Sequence, residues 1–86
     1  MYYTYVLLSD KDNKLYVGYT ENLRKRINEH DSGKVSSTIS RRPLKLIYYE
    51  ACVNELDAIN RERYFKTGFG RKFLRNRLGS FFGSQI

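Results

Sequence analysis

The chain has one cysteine, one histidine and one proline, and acidic residues are heavily outnumbered. With Cys52 alone there is no internal disulfide. A zinc site built on two or more thiolates is excluded as well. A single histidine leaves Ser-His-Asp catalysis with only His30 as base, and no serine sits in a nucleophile-elbow context. No glycine-rich loop ends in Gly-Lys-Ser/Thr, so there is no P-loop. No apolar run approaches the ~20 residues that cross a bilayer. The first residues, Met1-Tyr2-Tyr3-Thr4-Tyr5-Val6, lack the basic and long apolar regions of a signal peptide. A cytoplasmic, reducing location is expected, with no membrane partner.

What is abundant is positive charge. Sixteen Lys and Arg oppose nine Asp and Glu, a formal charge of +7 on 86 residues. That field favours a polyanionic partner over a neutral small molecule. Hydrophobic residues make up 41% of the chain and aromatics 15%, enough for one compact core. The length points to a single domain over 1–86, with a core about 2–78 and a tail 79–86.

Tyr2 to Leu8 is rich in aromatic and branched residues and reads as a strand. The polar cluster Ser9 to Asn13 follows, and Lys14 to Tyr19 is strand-like again, which makes an antiparallel hairpin. Thr20 is the expected N-cap of a helix running to His30 or Asp31, with Glu21 in its first turn and Gly33 as the stop. Leu23 and Ile27 form its apolar stripe. His30 projects beside them and Arg26 flanks them, so two polar groups sit on or near the inward side. Ser32 to Pro43 reads as an irregular surface loop. Leu44 to Cys52 begins just after the proline and completes a three-stranded sheet. Asn54 caps a second helix, in which Ala58, Glu62, Phe65 and Phe69 share one face. Gly68 and Gly70 interrupt it, and Arg71 to Leu78 forms a short helix stopped by Gly79. Phe81 and Phe82, in a tail without periodicity, either fray or fold back. The fold class is α+β: a three-stranded antiparallel sheet flanked by helices.

Three residues stand out. A carboxylate in an apolar stripe normally has a cation beside it. Glu62 therefore has two readings: an ion pair with Arg26 or Arg63, or a ligand for a hard cation such as Mg²⁺, which binds through few carboxylates plus phosphate. His30 is either a satisfied core residue or, one turn from Arg26, a proton carrier beside a phosphate clamp. Tyr16 is one of eight tyrosines. As a base it would need a cation or metal to lower a pKa near ~10. Gly18, two residues on, leaves room for a close approach.

Together these residues resemble the GIY-YIG nuclease domain. Tyr16-Val17-Gly18 matches the second of the family's two tripeptides. Tyr3-Thr4-Tyr5 occupies the place of the first and keeps its final tyrosine. Arg26, with His30 one turn later, fits the helix that follows, and Glu62 in Asn60-Arg61-Glu62-Arg63 fits the metal-binding glutamate. The resemblance spans roughly Tyr2 to Leu78 and is nearest to the small stand-alone bacterial members. It extends to the N-terminal nuclease module of the excision-repair incision subunit.

The resemblance implies a Mg²⁺-dependent endonuclease, with Mn²⁺ as a substitute, that hydrolyses DNA phosphodiesters in repair or processing. Structure-selective or weakly sequence-specific cleavage of branched or nicked DNA is implied, without a small-molecule cofactor and with a partner protein for targeting. Tyr5, Tyr16, Arg26, His30 and Glu62 would be catalytic, with Glu62 holding the metal. Which of Tyr5, Tyr16 and His30 is the base stays open. Gly18 and Asn76 are further candidates, Asn76 as the asparagine that many members carry after the glutamate. Lys34, Arg41, Arg42, Arg71, Lys72 and Arg75 are candidate backbone contacts. The alternative is a nucleic-acid-binding module that retains the fold and does not cleave.

Overall fold

The structure is a computed structural model that describes residues 1–83; the expectation for Ser84-Gln85-Ile86 lies outside the described residues. Strands β1 (Tyr2–Ser9) and β2 (Leu15–Thr20) form the expected hairpin, and β3 (Leu44–Cys52) pairs with the other side of β1. The order is β2-β1-β3, antiparallel throughout. The hairpin turn places Asn13 at φ 58°, a conformation asparagine tolerates better than most residues. Ser9 Oγ accepts from the backbone N–H of Lys11 and Asp12, which tightens the turn. Between Val6 and Leu7 the β1–β3 register slips, because Ile47 is an extra residue in β3.

The central strand explains why β1 is apolar on both sides: Thr4 to Ser9 are all buried. One face of the sheet carries Val6 and Leu8 of β1 with Leu15 and Val17 of β2. Phe65 of helix α2 (Glu55–Phe65) and Leu74 of helix α3 (Gly68–Arg77) complete this core. Full burial of each such side chain contributes roughly 1.5–3 kcal/mol. Arg61 seals the edge. Its guanidinium lies 4.6 Å from the centroids of both Phe65 and Phe73, and it grips Glu50 through two bonds of 2.9 and 3.0 Å. The other face of the sheet, with Tyr5, Leu7 and Tyr16, is covered by helix α1 (Leu23–Asp31) and the segment after it.

Several local expectations change. Asn22, not Thr20, caps α1, its side chain accepting from the Lys25 N–H. Thr20 is still the last residue of β2, and Glu21 lies before the helix rather than in its first turn. Gly33 does end the helix region in a left-handed conformation, φ 77°. The Ser32 to Pro43 segment is not merely a surface loop. It buries Val35 and Thr38 and contains a 3-10 turn, Ile39–Arg41. Asn54 caps α2 as expected.

Gly68 and Gly70 do not break a helix; they open one. Thr67 caps α3 by accepting from Gly70 N–H, and a Cβ on Gly70 would overlap the Tyr64 carbonyl. Since α2 ends at Phe65, Phe69 leaves its stripe and is 82% exposed. Gly79 begins a fourth helix, α4 (Gly79–Gly83), and Phe81 and Phe82 fold back against the core. No helix among the described residues is long and apolar enough to cross a membrane.

Candidate active site

The register of the hairpin sets the site. Tyr5 stands opposite Gly18, and Tyr16 stands opposite Leu7, so Tyr5, Tyr16 and Gly18 share the face under α1. A Cβ on Gly18 would collide with the Tyr5 phenol, so the close approach Gly18 permits is that of Tyr5 itself. One turn apart on α1, Arg26 and His30 reach down to the same ring. Tyr5 Oη lies 2.8 Å from His30 Nε2, and Arg26 Nε donates to Tyr5 Oη at 3.4 Å. His30 Nδ1 lies 2.7 Å from Thr38 Oγ1. The Tyr16 ring stacks edge-on to His30, centroids 5.1 Å apart, and its hydroxyl accepts from Ser37 Oγ at 3.5 Å.

Proton positions follow from the donor inventory. Arg26 donates to Tyr5, and among the described residues the only acceptor paired with the buried phenol is His30 Nε2. Tyr5 therefore donates to Nε2, Nδ1 carries the imidazole proton, and that proton goes to Thr38. Burial is the main reason the Tyr5 pKa rises to about 12, with the Arg26 hydrogen bond opposing it. The neighbouring Tyr16 phenol and, least of all, the Glu62 carboxylate add small upward contributions. His30 is held below the ordinary imidazole range, first by burial and then by the Arg26 charge.

The sign of the resulting pH dependence is definite. The folded imidazole stays neutral while the unfolded one takes up a proton near ~6.5. Stability is therefore full above that pH and falls as pH drops below it. Because His30 is the only histidine, a urea midpoint that declines from about pH 7 to about pH 5.5 reports on this residue. The decline should flatten in His30→Gln. A wild-type midpoint that is level or rises toward acid would contradict the buried neutral assignment.

The structure separates Glu62 from Arg26. Glu62 pairs with Lys66 at 3.2 Å, and Arg26 pairs with Glu29 at 3.3 Å. Glu62 is half-buried rather than buried, its side chain 22% exposed. Of the two readings of Glu62, the ion pair with Arg26 or Arg63 is not the one formed; the carboxylate makes a surface pair one turn along α2 instead. Asn76 is exposed on α3 and has no hydrogen bond to the cluster among the described residues.

Of the candidate phosphate contacts, Arg41, Arg71 and Arg75 line one cleft. Lys34 lies by the outer side of α1, and Arg42 is spent on the Asp31 and Ile39 carbonyls. Lys72 is exposed on α3. Sequence reasoning missed Thr38 and Glu29. Glu29 could have been found from its i,i+3 spacing to Arg26. Thr38, in a run of small polar residues, gives no such signal.

Two tyrosines on paired strands, under a helix that brings an arginine and a histidine to them, are the arrangement expected of a GIY-YIG domain. The family model described as the GIY-YIG catalytic domain matches residues 1–81, and the chain belongs to that family of nucleases. Within it the chain is similar to small bacterial proteins named UPF0213. One from Pediococcus acidilactici is 41% identical over 87% of this chain and 82% of its own length. Another from Clostridium perfringens is 45% identical over 77% and 71%. One from Bacillus pumilus is 42% identical over 83% and 72%. No solved structure gives a significant match.

Proposed function

We propose that the chain is a divalent-metal-dependent DNA endonuclease that hydrolyses phosphodiester bonds in DNA repair or processing. It would have weak sequence preference and would choose nicked or branched sites. The observation that supports this most is the convergence of Tyr5, Tyr16, Arg26 and His30 on one sheet face.

The donor set fits a hard cation in one way. Among the described residues no three His, Cys, Asp or Glu side chains gather as a metal cage. Glu62 would be a single carboxylate ligand, with phosphate and water as the rest, an arrangement Mg²⁺ accepts. Its partner Lys66 is 54% exposed, and such a surface pair is worth only ~0–1 kcal/mol, so it presents little obstacle. Bound there, the metal would supply charge neutralisation at the scissile phosphate.

The chain's own residues divide the remaining work. Arg26, fixed by Tyr5 and Glu29, holds non-bridging oxygens where charge grows in the transition state. Tyr5 and His30 are buried, and both imidazole nitrogens are engaged, so neither reaches an attacking water. They position Arg26 from below. Tyr16 is half-buried, lies within electrostatic reach of Arg26, and is the group left to accept the proton of that water. The cations around the fold contact phosphates, which carry no sequence information, hence the weak preference.

The test incubates purified protein with linear, nicked and branched DNA, with Mg²⁺ or Mn²⁺ and with chelator. Metal-dependent nicking is expected, strongest on nicked or branched substrates. Binding without metal-dependent cleavage would make the chain a non-cleaving module instead.

A further inference from the structure

A second basic feature lies away from the tyrosine cluster. At the turn end of the hairpin a cleft of about 750 Å³ opens between the turn, the 3-10 segment and α3. Its lining carries Lys14, Arg41, Arg71 and Arg75 against a single carboxylate, Asp12. These cations come from three separate parts of the chain and meet in one cavity.

Two of them are held in place with part of each fork left over. Arg41 Nε binds Asp12 at 2.9 Å, and its Nη2 donates to the Lys14 and Leu15 carbonyls at 3.2 and 3.4 Å. Arg71 Nε donates to the Phe65 carbonyl at 3.0 Å, and neither of its terminal nitrogens has a partner among the described residues. Arg75 lies over the Phe82 ring at 5.3 Å and, like Lys14, has no acidic partner among the described residues. A guanidinium immobilised through one edge loses little entropy when the other binds phosphate.

The cleft is on the other side of the sheet from the cluster. Leu8 and Leu15 line it and belong to the Phe65–Leu74 core face, whereas Tyr5 and Tyr16 face α1. Leu8 is also three residues from Tyr5, roughly 10 Å along the strand. A phosphate bound here is therefore not the one being cleaved.

We infer that this cleft binds the phosphodiester backbone of the substrate nucleic acid at a point removed from the scissile bond, so that the strand passes around the hairpin end. The inference rests on the nuclease reading, and it assigns these residues to substrate placement rather than to chemistry. It also sorts the basic residues: Lys14, Arg41, Arg71 and Arg75 act as one site.

Fluorescence-anisotropy titrations of labelled DNA in chelator, at several salt concentrations, test it without any need for cleavage. Lys14→Ala/Arg75→Ala removes two exposed cations whose side chains make no hydrogen bond among the described residues, and circular dichroism should show it folded. Each lost phosphate contact lowers the slope of log affinity against log salt by about 1, so a drop of about 2 is expected, with binding weakened about tenfold or more. Arg24→Ala/Lys25→Ala, which removes the same charge from the exposed side of α1, should change the slope much less. Equal losses in both variants, or an unchanged slope in the first, would overturn the inference while leaving the nuclease reading intact. Competition by inorganic phosphate or a mononucleotide as effective, per phosphate, as that of unlabelled oligonucleotide would also overturn it, since the cleft would then be a small-anion site. No DNA binding by the wild type at any salt would sink the nuclease reading and the inference with it.

Discussion

Glu62→Ala is expected to lower the single-turnover cleavage rate by about 100- to 1,000-fold, the range found when one transition-state stabiliser is removed. Its urea midpoint should stay close to wild type, because among the described residues Glu62 pairs only with Lys66, itself 54% exposed. That pairing of outcomes distinguishes a site residue from a structural one. A carboxylate locked in a buried ion pair would cost several kcal/mol on removal of either member, but Glu62 and Arg26 each have another partner. Arg26→Ala should lose cleavage to a similar degree, and Arg26→Lys should not restore it, since an ammonium cannot reproduce a two-pronged grip on phosphate. Wild-type cleavage by Glu62→Ala would remove it from the mechanism. Unfolding of Glu62→Ala would return it to a purely structural role.

Much of this arrangement is readable from residue order. The all-apolar Val6-Leu7-Leu8 run marks β1 as a strand covered on both faces, and the polar turn between two aromatic runs sets the hairpin. Once Tyr5 and Tyr16 are on adjacent strands, helical periodicity brings Arg26 and His30 to the same side. What the order of residues leaves open are choices between near-equals. Thr20 and Asn22 are both good caps. Thr20 is held in the ladder opposite Tyr3, which leaves Asn22 to cap the helix. The glycines at 68 and 70 look like breakers, yet a capping Thr67 and a close approach to Tyr64 make them the start of α3. Lys66 stands one turn from Glu62, a spacing the sequence contains, whereas the separation of Glu62 from Arg26 depends on where α2 lies relative to α1, which periodicity along α2 does not contain. The buried chain from Tyr5 through His30 to Thr38 likewise depends on a loop folding over the sheet.

The strongest stability effect at the site should come from Gly18→Ala, a single added methyl group. A Cβ there would overlap the Tyr5 hydroxyl and the ring carbon that carries it, and Tyr5 is 1% exposed, so the ring has no solvent side into which to swing. Overpacking of this kind costs about 1–3 kcal/mol. Displacing the phenol also leaves His30 Nε2 buried without its donor, a further ~1–3 kcal/mol. Together that is a large share of the ~5–15 kcal/mol that holds such a domain folded. Cleavage should fall in parallel, because Arg26 loses the oxygen it is braced against. The cause can be isolated by a double-mutant cycle. Tyr5→Leu vacates the space above residue 18, so Tyr5→Leu/Gly18→Ala should be less destabilised than the sum of the two single variants, by about 0.5–3 kcal/mol in urea unfolding. Strict additivity would mean that the methyl group is accommodated elsewhere, and that Gly18 is not there to make room for Tyr5.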